Sequence, residues 1–365
     1  MSSNDPVIPH SRPTIGPDDI QAVSEVMLSG HLTQGAKVRE FEEAVAAYLG
    51  RRGGVATNSG TSALHLALLA LGLSNGDEVL VPSYTCVALL HAVRYVGATP
   101  RVVDIEPEGY NLCAHESRRR LTRRVKAVII PHMFGMAADL AALASLGIPL
   151  IEDCAQALGG TYHGQRIGSI GDITICSFYA TKMMTTGEGG MLLSDSDVIL
   201  RRARDFRDYD ERPTLETRFN YKMTDMQAAL GLSQLHRLPE FLERRQALAS
   251  RYTTALRNLP ISLPAVKSDR THAFYRYVIG VNGAPRLARQ LSRRGIQCKA
   301  PVFHPLHGYL KQAGFPHTEA AMRTALSIPF YPSLGEEEVD TLLGMVADEV
   351  QPEEEHPRRA LSSRS

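Results

Sequence analysis

Tryptophan is absent from this chain, aromatic residues make up only 6%, and neither sign of charge prevails: 40 Lys and Arg face 39 Asp and Glu, leaving +1. So close a balance provides no overall field toward nucleic acid or an anionic membrane, and any anion the protein handles must be bound locally. The run SRRRLTRRVK at 117–126 is a local exception that reads as a solvated face rather than a nucleic-acid surface. Five cysteines, Cys86, Cys113, Cys154, Cys176 and Cys298, are odd in number and lack CxxC spacing. That argues against the metal sites and redox motifs that use such spacing and fits a reducing cytoplasm. No apolar run approaches a membrane span, and the opening MSSNDPVIPHSRPTIGPDD lacks the basic start and apolar core of a signal peptide. The expectation is a cytoplasmic protein with no membrane or nucleic-acid partner.

What is present is 365 residues of ordinary globular composition, 44% hydrophobic and 22% charged, long enough for two domains. Pro17 and two acidic residues open a helix that closes at Gly30, and KVREFEEAVAAYLG ends in glycine the same way. From about residue 55 to 195, seven short apolar runs alternate with helix-sized intervals: GVATNS, EVLVPS, TPRVVDI, KAVIIPH, IPLIEDC, DITICSF and GGMLLS. Strands this uniformly apolar predict βαβ units and a sheet buried on both faces, so the class is α/β. Residues 225–258 read as mainly helical and lead to a smaller domain with an alternating stretch, HAFYRYVIGV, and two helices, PRLARQLSRRG and GEEEVDTLLGMVADEV. The expected division is a large domain over 1–245, a small one over 246–350, and a disordered tail over 351–365 with no apolar face.

Ligands of open parallel sheets sit at the carboxyl ends of the strands, so the residues that end each run matter most. They are Asp153; Ser177 followed by Lys182; Gly60, Thr61 and Ser62 at the start of GTSALHLALLALG; and Tyr84, Thr85 and Cys86. A helix start with free N–H groups and two hydroxyls suits a phosphate, although alone it also describes a helix capped by Ser59 or Thr61. Lys182 alone could be a surface lysine at a strand end, and Asp153 alone could be a helix cap. Ser177, Phe178, Met183 and Met184 around the lysine make a partly dry pocket, which suits an amine that attacks a carbonyl. The glycines of TTGEGG let backbone close on a bound group. Together an aldehyde for Lys182, a phosphate for the helix start and a ring nitrogen kept protonated by Asp153 are the handles of pyridoxal 5′-phosphate, with Gln156 in reach of its phenolic oxygen.

At these residues the sequence resembles the sugar aminotransferases of the DegT/DnrJ/EryC1/StrS family, within fold type I of the pyridoxal-phosphate enzymes. The likeness runs through LTQGAKVREFEEAVAAYLG, TNSGTSALHLALLALG, GDEVLVPSYTCVA, IEDCAQALGG, GSIGDITICSFYATKMMTTGEGG, NYKMTDMQAALGLSQL and LSIPFYPSLGEEEVD, in the family's order. It implies a large domain with a mostly parallel seven-stranded sheet between helices, and a smaller C-terminal α/β domain. It implies that Lys182 holds the internal aldimine and acts as general base, that Asp153 pairs with the ring nitrogen, and that Gln156 contacts the ring oxygen. Gly60, Thr61, Ser62 and Ser177 would take the phosphate. Asn220 matches an asparagine that reaches the phosphate of a neighbouring subunit, which implies a homodimer with shared sites.

Two positions depart from the pattern. Cys86 stands where some relatives place a tryptophan over the cofactor ring, which leaves that face to Tyr84 or Cys86. Tyr179 stands where many carry histidine. The resemblance implies transfer of an amino group from glutamate or glutamine to a keto group of a nucleotide-linked sugar or a keto-cyclitol. Lys182, in place of the histidine of a dehydrating branch, argues for that outcome. The alternatives are elimination or dehydration with the same cofactor, and a regulatory protein without turnover. His132, His304 and His307 lack metal-ligand spacing and read as packing or substrate-edge residues, so no metal is expected.

Overall fold

The computed structural model describes residues 7–350, and the expected tail at 351–365 lies outside them. The strands, in chain order, are β1 (Gly53–Thr57), β2 (Glu78–Pro82), β3 (Thr99–Val103), β4 (Val125–Pro131), β5 (Leu150–Asp153), β6 (Thr161–Tyr162), β7 (Gln165–Arg166), β8 (Ile173–Ser177), β9 (Gly190–Ser194), β10 (Arg270–Thr271), β11 (Tyr277–Gly280) and β12 (Ala325–Ile328). The seven apolar runs give β1 to β5, β8 and β9. These form one sheet in the order β1-β9-β8-β5-β4-β2-β3. All are parallel except β9, which runs antiparallel to both of its neighbours.

Successive residues of β4 explain the apolar runs. Val128 and Ile130 point into a layer with Phe41 and Val45 of the Ala36–Leu49 helix and Ala228 and Leu238 of the Asp225–Leu256 helix. Ala127 and Ile129 point the other way, against Leu64 and Leu68 of the Gly60–Ala70 helix and Val93 of the Ala88–Tyr95 helix. With both faces covered, every residue of β4 from Ala127 to Pro131 is buried and apolar, and the one polar residue, Lys126, sits exposed at the start of the strand.

The Asp225–Leu256 helix passes unbroken through Pro239. It starts with a capping box, Thr224 Oγ1 accepting from the Gln227 amide (3.2 Å) while Gln227 Oε1 accepts from the Thr224 amide (3.0 Å). Its first half packs on the sheet. Its second half, with Leu248, Tyr252 and Leu256, joins a separate apolar cluster with β11, β12 and the Glu336–Val350 helix. Ile8 is buried in that cluster, and its amide donates to the Gly295 carbonyl at 2.9 Å.

Only the end of HAFYRYVIGV becomes a strand, β11. The residues before it turn onto a loop of the large sheet: Ala273 and Tyr275 donate their amides to the carbonyls of Gly135 (2.8 Å) and Phe134 (2.9 Å). Gly135 has φ +106°, and a Cβ there would lie 2.7 Å from the Phe274 nitrogen, so glycine is required for this docking. The consequence is that Tyr275 reaches the sheet's carboxyl edge. Among the described residues no helix is long and apolar enough to cross a membrane.

Candidate active site

The carboxyl edge of the sheet brings β1, β8 and β9 together. Gly190, the first residue of β9, pairs with Thr57 on one side and Ser177 on the other. A Cβ on Gly190 would lie 2.3 Å from the Ser59 carbonyl oxygen, and one on Gly60 would lie 2.9 Å from Ser177 Cβ. These absences let strand, loop and helix start converge into a cradle without side-chain bulk. Ser59 caps the Gly60–Ala70 helix by accepting from the Ser62 amide at 3.1 Å, and the Ser62 hydroxyl donates to Asn58 Oδ1 at 2.7 Å. The free N–H groups of this eleven-residue helix, together with the nearby Ser177 hydroxyl, form a positive, donor-rich concavity. Two of the glycines of TTGEGG make close approaches to the protein's own chain, Gly189 to Thr186 and Met223 and Gly190 to Ser59 and Gly60, while Gly187 faces open space.

Asp153 ends β5 two strands away and is buried. Its Oδ1 accepts from the Ala155 amide at 3.0 Å. Burial raises its carboxyl above the usual range, and the Ala155 N–H and the charge of Lys182 only partly offset this. A buried carboxylate in that state is best satisfied by a cationic N–H donor. Gln156 accepts the Phe134 amide on Oε1 (2.9 Å), and among the described residues the one hydrogen-bond partner of its amide nitrogen is the Met133 sulfur at 4.0 Å.

His132 lies behind Asp153, fully buried. Its Nδ1 accepts from the Ala138 amide (3.1 Å), so Nε2 carries the proton and donates to Glu152 (3.1 Å). Glu152 also accepts from the amides of Gly168, Ile170 and Gly171. Burial alone would raise its carboxyl, but these partners hold it down at about 2. His132, Glu152 and Cys154 lie close enough to share a metal ion. However, both ring nitrogens and both carboxylate oxygens are already committed, which makes the group a structural brace. His307 accepts or donates at Ser83 Oγ (2.6 Å) and stacks on Phe315, while exposed His304 packs over Gly308 and Tyr309.

Lys182 follows β8 in a loop closed by Phe178, whose amide donates to Gly189 and whose carbonyl accepts from Thr186, both at 2.9 Å. Its Nζ lies 5.2 Å from the centroid of the Tyr275 ring. The Tyr275 hydroxyl is within 3.2 Å of both Thr181 Oγ1 and an Arg276 nitrogen. Burial pushes this phenol up, but Lys182 and Arg276 outweigh burial and bring it down to about 8. Sequence reasoning missed Tyr275 and Arg276. They sit in an alternating stretch, and only the docking onto Gly135 brings them here.

The remaining expected residues are spread around this centre. Tyr84 is fully enclosed, stacked on Tyr110 with centroids 5.5 Å apart and edge-on to Phe134. Cys86 and Tyr179 are exposed. Asn220 is exposed, and its carbonyl accepts from the Asn58 side chain at 3.4 Å, beside the helix start. The parts fit pyridoxal 5′-phosphate: a cradle that a Cβ would fill, a buried carboxylate in need of a cationic donor, and a lysine on the loop that follows β8.

A mostly parallel sheet with a lysine, a buried carboxylate and a donor-rich helix start at its carboxyl edge has the architecture of a fold type I pyridoxal-phosphate enzyme. The DegT/DnrJ/EryC1/StrS aminotransferase family model matches residues 13–347, and the chain belongs to that family of pyridoxal-phosphate-dependent sugar aminotransferases. It is 36% identical to spore coat polysaccharide biosynthesis protein SpsC of Bacillus subtilis, covering 93% of this chain and 96% of that one. It is 35% identical to GDP-perosamine synthase of Caulobacter vibrioides, covering 85% and 89%. Among solved structures, DesV of S. venezuelae in complex with a ketimine intermediate superposes with a TM-score of 0.87 at 32% identity, covering 92% of this chain and 94% of that one. A further neighbour is solved in both its PLP- and PMP-forms.

Proposed function

We propose that this protein transfers an amino group from glutamate or glutamine to a keto group on a nucleotide-linked sugar or keto-cyclitol, using Lys182. The observation that carries this reading is the position of Lys182 on the closed loop after β8, with the buried carboxylate of Asp153 and the Ser59–Ser62 cradle at the same sheet edge. The likeness to GDP-perosamine synthase supports a nucleotide-sugar acceptor.

When bound, pyridoxal phosphate supplies an aldehyde that captures amines and a ring that draws electrons from the adjacent carbon. In this reading Lys182 would hold it, and the Lys182 Nζ would take up and return the proton that moves during the transfer. Asp153 holds a proton on the ring nitrogen, and the paired charge brings its own carboxyl back down. The amide nitrogen of Gln156 donates to the ring oxygen. Gly60, Thr61, Ser62 and Ser177 hold the phosphate, with Asn220 reaching across from a second copy of the chain in a homodimer. The exposed position of Cys86 and the enclosed one of Tyr84 favour Cys86 as the residue facing the ring. The division at residue 245 belongs to the same reading, supported by a separate apolar cluster formed by residues beyond it together with Ile8, as does a cytoplasmic site of action, supported by five free cysteines.

The test is the visible spectrum of the protein with pyridoxal phosphate, before and after glutamate. Wild type should gain a near-visible band that glutamate removes, and Lys182→Ala should not form it. A band indifferent to glutamate and glutamine would turn the reading to elimination chemistry, and no band at all would sink it. Keto-sugars are then screened by return of the band.

A further inference from the structure

Among the described residues Lys182 Nζ makes no hydrogen bond and no ion pair; the group it faces is the ring of Tyr275, whose centroid lies 5.2 Å away. Tyr275 is 5% exposed. Its backbone is held on both sides, the amide donating to the Phe134 carbonyl at 2.9 Å and the carbonyl accepting from Arg245 Nη1 at 3.2 Å. Its hydroxyl lies 3.2 Å from Oγ1 of Thr181, the residue next to Lys182, and accepts from Arg276 Nη2 at 3.2 Å. A second cation borders the ring, since the Arg276 guanidinium carbon is 4.9 Å from its centroid. The ring is thus anchored at both ends, whereas nothing bonds the amine that faces it.

A lysine that leaves and rejoins a cofactor in every turnover needs a resting place of a particular kind. A carboxylate partner would hold the amine as an ammonium through a charge-assisted hydrogen bond and oppose its use as a base. The face of an aromatic ring attracts the ammonium through its quadrupole, more weakly and without a directional bond. Asp153, whose charge reaches Lys182, accepts from the Ala155 amide instead. Against burial, which raises it, Lys182 and then Arg276 bring the Tyr275 phenol down to about 8, so the charge of the amine is felt at this ring.

We propose that Tyr275 is the positioning residue of Lys182: its ring face is the seat that the amine occupies whenever it is off the cofactor, and the seat keeps the amine within reach of the carbon it must deprotonate. The inference rests on the transaminase reading and adds which side chain keeps the base of that reaction in place. Thr181 and Arg276 act through the seat, by anchoring the hydroxyl edge of the ring.

The test has two readouts. The first uses the cofactor-free protein, its lysines reductively methylated with carbon-13-labelled formaldehyde, a change that keeps their charge. The Lys182 methyl resonance, identified by its loss in Lys182→Ala, should lie upfield of the other lysine resonances because it sits over an aromatic face. Tyr275→Phe should keep that displacement, and Tyr275→Leu should abolish it. A wild-type Lys182 resonance that coincides with the others overturns the seat without recourse to any variant.

The second readout uses the loaded enzyme: the rate at which saturating glutamate removes the near-visible band, with ordinary and with α-deuterated glutamate. Tyr275→Leu should slow that loss roughly 5- to 30-fold and enlarge the deuterium effect, while the half-saturating glutamate concentration changes less than about threefold. Tyr275→Phe, which keeps the face and loses the hydroxyl anchors, should slow it by no more than about threefold. A purely structural role predicts a lower Tm for both variants with the wild-type rate and isotope effect. If wild type loses its band with glutamate and Tyr275→Leu does so at the wild-type rate and isotope effect, the seat is overturned and the transaminase reading stands. If the Lys182 resonance is displaced but wild type ignores both glutamate and glutamine, the transaminase reading falls, and the role assigned to the seat falls with it.

Discussion

The two sides of Lys182 are built by different means. On one side, Ser59 to Ser62, Asp153, Ser177 and Gly190 all lie at strand ends of one sheet, and much of the surface is backbone. On the other side, His10, Thr14, Arg245, Tyr275, Arg276 and Tyr331 arrive from four distant stretches, and the surface is side chain. A site made of backbone depends on how closely chain segments approach. A site made of convergent side chains depends on how whole layers pack, so substitutions should affect the two sides through different quantities.

Lys182 serves both sides, and its removal should have the largest effect. Lys182→Ala should lower amino transfer by more than about a thousandfold, measured as single-turnover conversion of added cofactor. Next in size, Asp153→Asn should lower the maximal rate by about 100-fold or more while the half-saturating glutamate concentration stays at the wild-type value. Equal losses in both would break the separation of the two sides.

Gly190→Ala forces a methyl to within 2.3 Å of the Ser59 carbonyl oxygen. It should weaken cofactor affinity at least about tenfold, read by titration of the near-visible band, because three backbone segments must move apart.

A smaller effect concerns the frame both sides share. Gly231→Ala would place a Cβ 2.6 Å from the ring of Phe41, which packs on Phe178 of the lysine loop with centroids 5.1 Å apart. Overpacking there should cost about 1–3 kcal/mol in chemical denaturation.

The smallest signal is the titration of Tyr275. Its folded value of about 8 lies below the ordinary 10, so the stability it contributes is present above pH 10 and is lost as pH falls through about 8. Near-ultraviolet titration of the cofactor-free protein should reveal one tyrosine ionising near 8. Lys182→Ala should move that step upward, and an unmoved step would break the coupling across the site.

Much of the fold was legible because burial on both faces leaves a simple trace: seven apolar runs gave seven strands of one sheet. The antiparallel course of β9 was not legible, since an apolar run reads the same in either direction. In the same way, Pro239 carried no sign that its helix would continue through to Leu256. Asp153, Ser177 and Lys182 could be located from sequence because position at a strand end is a property of local order. Which of Tyr84 and Cys86 is enclosed depended on Tyr110 and Phe134, which arrive from other loops.

The sequence by itself determined the class, the family and the residues at the strand ends, because periodicity and short motifs are written along the chain. Only the tertiary structure decided that Tyr275 and Arg276 would stand beside Lys182, that Gly190 would close on Ser59, and that Thr14, Arg245 and Tyr331 would share one pocket. Those meetings depend on the docking of β11's leading residues onto Gly135 and of the Ile8 segment onto the C-terminal cluster, contacts between segments more than a hundred residues apart.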